Sequence, residues 1–281
     1  MKDCGKVCCC VLYSILVWAC AAPRPLEVNT PQGKTENYPP VIEASASRQQ
    51  AAEEAWRLFL AENRISEVKL PEFEPVLSTP RALPLELANR INLSPKGGAL
   101  DETEAKEALR RFIEHSRAVL GGDFRNNPLN LKDLSLISFS NEGNLYRAVY
   151  QQMSYPFPLA NNYGELRIVI SKDGKLLQLS SRIVPVLDLP TRAAIDPQAV
   201  ADKLIGRQFT YTSIAGQPLS FKVTRREEIV VRDLVIYPKL EKDKLSFHLA
   251  YPVDAGRGTT WTIYVDAITG QEIEVKQNFA T

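Results

Sequence analysis

Apolar positions change period along this chain. Between Ser47 and about Asn63, Ala52, Ala55, Trp56 and Phe59 recur at helical spacing, and Ser47 with Gln50 has the spacing of a capping box. A second helix is predicted from about Asp101 to Leu120. Asp101 stands as its cap, Glu104 follows three residues on, and Ala105, Leu109, Phe112, Ser116 and Val119 form one stripe that Gly121-Gly122 ends. Between the helices, Pro71, Pro75, Pro80, Pro84 and Pro95 exclude a long helix or a central strand. That stretch is expected to wrap the surface in extended form.

Alternation by twos then takes over. Strands are predicted at Leu134–Phe139, Leu145–Gln152, Glu165–Ser171 and Lys175–Ile183, with Asp173-Gly174 as a two-residue hairpin turn. Leu166, Ile168 and Ile170 share one face, and Leu177, Leu179 and Ile183 share another. Asp196-Pro197 opens a third helix, an N-cap followed by Pro at the first helical position, running to Gly206. Strands follow near Phe209–Ser213, Ser220–Thr224, Glu228–Tyr237, Leu245–Tyr251, Thr260–Asp266 and Glu272–Lys276. Helix-then-meander thus occurs twice. The expectation is an α+β chain of two consecutive helix-plus-antiparallel-sheet domains, 99–190 and 191–281, after a helix and Pro-rich wrapping segment over 47–98.

The first 20 residues, MKDCGKVCCCVLYSILVWAC, join a charged start to about a dozen mostly apolar residues. Spanning a bilayer takes about 20 residues, so the run is expected to be the core of a signal peptide. Val17-Trp18-Ala19-Cys20 resembles a bacterial lipobox, although Trp18 stands where a small residue is usual. The resemblance implies cleavage before Cys20 and lipid attachment to it, hence an exported protein anchored in the envelope, at the outer membrane if the cell is Gram-negative. A plain secretory cleavage near Ala21-Ala22 is the alternative. Residues 21–46, rich in Pro and polar side chains, are expected to form a tether.

The 281 residues are 44% hydrophobic and 24% charged, a globular composition. Beyond residue 20 the basic and acidic side chains number 32 each, since Lys2, Lys6 and Asp3 take their share of 34 and 33. Without a basic surplus, a nucleic-acid partner is not expected. Cys4, Cys8, Cys9, Cys10 and Cys20 are all the cysteines, so the body has no disulfide or Cys-ligated metal site. His115 and His248 are the histidines. Neither belongs to an HExxH, and no GxSxG or GxGxxG occurs. Adjacent carboxylates such as Glu227-Glu228 point apart. The expectation is no catalytic residue, no metal and no cofactor, with His115 on a helix surface and His248 on the exposed face of its strand. Tyr155, Phe157 and Tyr163, in the loop MSYPFPLANNYG, are candidate partner-binding residues on a sheet-borne loop. The alternative is that their rings fold back over the sheet edge. The last strand, near Glu272–Val275, is a second candidate, by edge pairing with a partner or else by pairing within the domain.

YRAVYQQMSYPFPLANNYGELRIVISKDGKLLQLSSRIVP resembles the first propeptide (FTP) domain of thermolysin-like and fungalysin-like metalloproteases. The matching positions are Gln151, Gln152, Pro158, Gly164, Glu165, Leu166, Asp173 and Gly174. LSFHLAYPVDAGRGTTWTIYVDAITGQEIEV is similar to the PepSY domain that follows in those propeptides, through Leu249-Ala250-Tyr251, Trp261, Val265-Asp266-Ala267 and Gly270. Tyr155-Pro156-Phe157-Pro158-Leu159 replaces the family's Asn-Gly-x-Pro-Val turn, and the module is expected to stand alone, without a protease after it. The resemblance, over about residues 100–277, implies propeptide domains, which assist folding of the protease and inhibit it. The expected function is a non-catalytic envelope lipoprotein that binds an extracytoplasmic protein, such as a secreted metalloprotease, as inhibitor or chaperone in trans. An envelope assembly or ligand-binding lipoprotein unrelated to proteases is the alternative.

Overall fold

The structure, a computed structural model, describes residues 37–67, 69–94, 97–121, 131–212, 216–256 and 260–278. The expected signal peptide, and Cys20 with it, lie outside these residues. Strand β1 (Val41–Glu43) is followed by helix α1 (Ala46–Glu62). The cap of α1 is Ser45 rather than Ser47: its hydroxyl accepts the Arg48 N–H, while the Ser47 hydroxyl bonds that of Ser45 at 2.9 Å. Ala52, Trp56, Phe59 and Leu60 are buried.

The proline-rich stretch does not wrap the surface. It forms a short pair of strands, β2 (Glu72–Phe73) and β3 (Pro80–Ala82), and buries Val76, Leu77, Leu87 and Ile91 almost completely. Prolines forbid long regular elements, but they leave the aliphatic side chains between them free to turn inward. Helix α2 (Glu102–His115) begins at the expected capping box. Asp101 Oδ1 accepts the Glu104 N–H at 2.8 Å, and Glu104 Oε2 accepts the Asp101 N–H at 3.1 Å. After Ser116 a short helix α3 (Arg117–Leu120) continues, and the whole predicted stripe is buried.

Strands β4 (Leu134–Glu142), β5 (Leu145–Gln152), β6 (Glu165–Ser171) and β7 (Leu176–Ser181) form an antiparallel sheet in that order. Its core cluster joins inward residues such as Leu166, Ile168 and Ile170 to the buried faces of α1, α2 and α3. The β6–β7 ladder slips one residue: Ile170 faces Leu176 and Val169 faces Gln178. Leu177 is the extra residue, so Leu176 is buried in its place.

Helix α4 (Pro197–Leu204) is capped by Asp196, whose carboxylate accepts the Gln198 N–H at 2.7 Å. A two-stranded ribbon, β8 (Gln208–Thr212) and β9 (Pro218–Lys222), leads to the second large sheet. The single strand expected over 228–237 is two, β10 (Ile229–Val231) and β11 (Val235–Glu241). Both pair with the twelve-residue β12 (Lys244–Ala255), which β13 (Trp261–Asp266) and β14 (Glu272–Gln277) follow.

The other edge of β12 carries β13 and, at its start, β1, with Ile42 opposite Leu245. Residues 41–43, expected as tether, therefore belong to this sheet. A three-residue strand is too short to show a period, and its partner lies some 200 positions away.

The odd-numbered side chains of β12 serve two clusters. Leu249, Tyr251, Val253 and Ala255 pack with α4 and Trp261, whereas Leu245 and Phe247 pack with Ile42, Val76, Leu77, Leu159 and Tyr163. The boundary expected near residue 190 separates the first two core clusters, while the third spans it. The described residues all belong to one compact unit.

Candidate functional site

The most densely bonded polar group is Asp266, the last residue of β13. Oδ1 accepts the N–H groups of Ile268 (2.9 Å) and Thr269 (2.8 Å), which shapes the turn into β14. Oδ2 accepts the Tyr38 hydroxyl (2.9 Å) and lies 2.8 Å from His248 Nδ1. Burial pushes the carboxyl pKa up, but the bonds from His248, the two amides and Tyr38 outweigh it and hold the group below the ordinary carboxylate value. Burial, and then the Asp266 charge, push the Tyr38 phenol far up, so it remains a donor.

Tyr38 also fills a gap in the sheet. On that edge of β12, Phe247 donates its N–H to Pro40 and Leu249 accepts from Ala267, while the Leu249 N–H finds the Tyr38 oxygen at 2.9 Å. A side chain thus stands in for backbone where β1 ends and β13 has not yet begun.

His248 is not exposed as expected. Alternation does place it opposite Phe247 and Leu249, but Tyr38 lies edge-on to it at 6.1 Å, and only 15% of the side chain reaches solvent. Its Nε2 is 3.0 Å from the Ser246 hydroxyl. Ser246, His248 and Asp266 therefore follow the hydrogen-bond order of a hydrolytic triad. Period two alone, however, places residues 246 and 248 side by side on a strand. The clefts described below do not include Ser246.

The other residues that carry the propeptide resemblance in the sequence serve as framework. The Gln152 amide pairs with the backbone of Val184, donating to its carbonyl (2.8 Å) and accepting its N–H (3.1 Å). Gln151 Nε2 reaches the Tyr163 carbonyl at 3.3 Å. Asp173 accepts the Ser171 hydroxyl, which, with Lys175, lowers its pKa. Gly174 turns at φ +80°, where a Cβ would lie 2.7 Å from that of Ser94. Gly270 turns at φ +72°, with Ile195 Cδ1 2.7 Å from the same point. Trp261 stacks on Phe209 at 5.1 Å.

The aromatic loop folds back over the sheet edge, with Tyr163 buried and Tyr155 and Phe157 partly exposed. Tyr155 donates its hydroxyl to the Pro185 carbonyl. Tyr163, 3% exposed, lies under the Arg182 guanidinium at 4.1 Å and edge-on to Phe247. The cause is backbone pairing that the loop's sequence does not announce. Ile236 donates its N–H to the Pro158 carbonyl, and Ala160 donates to the Ile236 carbonyl, both at 2.9 Å, in a parallel bridge. Phe157, like Tyr155, stays partly open. It lines a cleft of about 500 Å³ with Pro158, Pro197, Leu234 and Tyr251.

A groove of about 270 Å³ between α1 and α2 is lined by Phe59, Asn63, Ile91, Phe112 and His115. His115 keeps to its helix surface, with Nδ1 2.7 Å from the Arg111 carbonyl. Among the described residues, β14 pairs only with β13. Among the same residues, no group of three or more His, Cys, Asp or Glu is placed to hold a metal ion, and no helix is long and apolar enough to cross a membrane.

No protein-family model matches the chain, and no curated protein matches it. Among solved structures it is similar to the C-terminal domain of YpeB from Bacillus megaterium. The two align over 84% of this chain and 98% of that one, at 13% identity and a TM-score of 0.30. The fold class is α+β, with helices packed on antiparallel sheets. Sequence reasoning missed Tyr38 and the cleft residues Val231–Leu234. Tyr38 sits among polar residues and prolines with no apolar period, and its aromatic ring was the one available sign.

Proposed function

We propose that the chain is a non-catalytic envelope lipoprotein, anchored through Cys20, that binds an extracytoplasmic protein and acts in trans as inhibitor or folding chaperone of a secreted metalloprotease. The observation that supports this reading is the use made of the residues shared with protease propeptides. Gln152 and Asp266 satisfy backbone groups, and Asp173, Gly174 and Gly270 shape turns. What is shared is thus a scaffold for presenting a surface, while His115 and His248 are both engaged in local hydrogen bonds.

The test is capture of partners from envelope and secreted fractions on the immobilised full chain, followed by a protease assay on the eluate. Retention of a metalloprotease whose activity is suppressed in the complex is expected. Recovery of envelope proteins alone, with no effect on an added thermolysin-like enzyme, would sink the proposal. Cys20→Ser is expected to move the protein from the membrane to the soluble fraction; unchanged fractionation would refute the anchor.

A further inference from the structure

We infer that the cleft beside Phe157 binds an extended segment of a partner protein in which basic and apolar residues alternate; this rests on the binding role proposed above and gives it a place and a chemistry. The backbone argument comes first. Along the outer edge of β11, the loop pairs in parallel at Ile236 through the Pro158 carbonyl and the Ala160 N–H. The next bond of a parallel ladder would run from the N–H of residue 158 to the Leu234 carbonyl. Residue 158 is proline and has no N–H to give. Pairing stops there and the two backbones part, with Arg232 turned inward to donate its N–H to Pro252. Leu234 lines the cleft at that parting, and by the ladder's geometry its carbonyl would be the acceptor for an incoming strand.

The walls and the rim supply the rest. Phe157, Pro158, Pro197, Leu234 and Tyr251 form apolar walls around about 500 Å³, within the ~300–1,000 Å³ of small-molecule pockets. At the rim, the Arg232 guanidinium is neutralised by the buried Asp254 carboxylate, which Thr262 also bonds at 2.8 Å. The Asp233 side chain is exposed at the rim. Asp196 is close enough that, after burial, its charge is the second cause of the raised pKa of Tyr251. Asp233 and Asp196 therefore place negative charge about the mouth. An extended chain places alternate side chains on opposite sides, so apolar residues can enter while Lys or Arg lie against the rim.

The test titrates two fluorescein-labelled synthetic hexapeptides, Lys-Phe-Lys-Val-Lys-Leu and Glu-Phe-Glu-Val-Glu-Leu, against the full chain by fluorescence anisotropy. The basic peptide is expected to bind at least tenfold more tightly, with a preference that shrinks as salt rises. Asp233→Lys, a surface change, is expected to abolish the preference, and Phe157→Ala to weaken binding of the basic peptide at least tenfold. Pro158→Ala restores the missing N–H and is expected to close the ladder and weaken binding without destabilising the protein. Equal affinity for the two peptides, binding of neither, or binding indifferent to both Asp233→Lys and Phe157→Ala would overturn the assignment. In the partner capture, equal retention by wild type and both variants would remove the cleft and leave the binding role standing. No captured partner, together with selective peptide binding, would remove the role in trans and leave the cleft.

Discussion

The sheet of β4 to β7 is made from one stretch of chain, whereas the sheet around β12 borrows its edge from far away. In the first, the four strands pair in chain order, and the helices that cover it lie just upstream. In the second, β1 and Tyr38 come from the start of the described chain, and residues 158–160 of the first sheet's own loop pair with β11. Two polar residues, Gln152 and Asp266, follow this division. Gln152 ties two segments of the first half through one backbone pair, while Asp266 gathers a turn, a histidine and a remote tyrosine. A locally wired sheet should tolerate the loss of its turn carboxylate. A remotely clasped one should not.

The largest expected effect belongs to the first core. Trp56 is inaccessible to solvent and donates its indole N–H to the Lys69 carbonyl at 2.8 Å, so Trp56→Ala should cost about 3–5 kcal/mol in chemical denaturation. Next comes the clasp. Asp266→Ala leaves two turn amides, His248 and Tyr38 without their acceptor and should cost about 3 kcal/mol.

Asp266 also sets a pH dependence. Its folded pKa is lowered, so in the acid range the unfolded chain binds the extra proton and stability rises with pH. The contribution is complete above about pH 5 and fades as pH falls from the ordinary Asp value of about 3.9 through the lower folded one. Asp266→Asn should lose this dependence; identical acid-unfolding curves for variant and wild type would contradict it.

A smaller loss, about 1–2 kcal/mol, is expected for Tyr38→Phe, which leaves the Leu249 N–H unpaired. Faster hydrogen exchange at the Leu249 amide reads that change directly. The smallest effect is expected from Asp173→Asn in the first sheet's hairpin. Its partners Ser171 and Lys175 are local and the site is solvated, so the denaturation midpoint should not move. If Asp173→Asn proved as damaging as Asp266→Ala, the contrast between the sheets would fall.

What was legible in the sequence follows the same line. The capping box at Asp101 and Glu104, the stripe from Ala105 to Val119 and the strands Leu145–Gln152 and Glu165–Ser171 are local patterns, and the structure has them where the spacing puts them. A one-residue slip in the ladder exchanged Leu177 for Leu176, which no local pattern reports. Val41–Glu43 was hidden because three residues carry no period, and the buried aliphatics of 76–91 because prolines mask what lies between them. At the candidate site, the loop's rings were visible but not their direction, which the bridge to Ile236 decides. His248 sat on the expected face of its strand, and a tyrosine 210 positions upstream covered it.

The position of β1 also sets an order in time. The Tyr38 hydroxyl and the Leu249 amide it accepts are 211 residues apart, and Asp266 lies further on still. As the chain is made or delivered from its N-terminus, the first sheet has all its strands once residue 181 has emerged. Strand β1 must wait, unpaired, until β12 arrives, and Tyr38 until Asp266 does. Closing so long a loop is slow, so the N-terminal strand should gain protection from solvent exchange later than the strands of the first sheet.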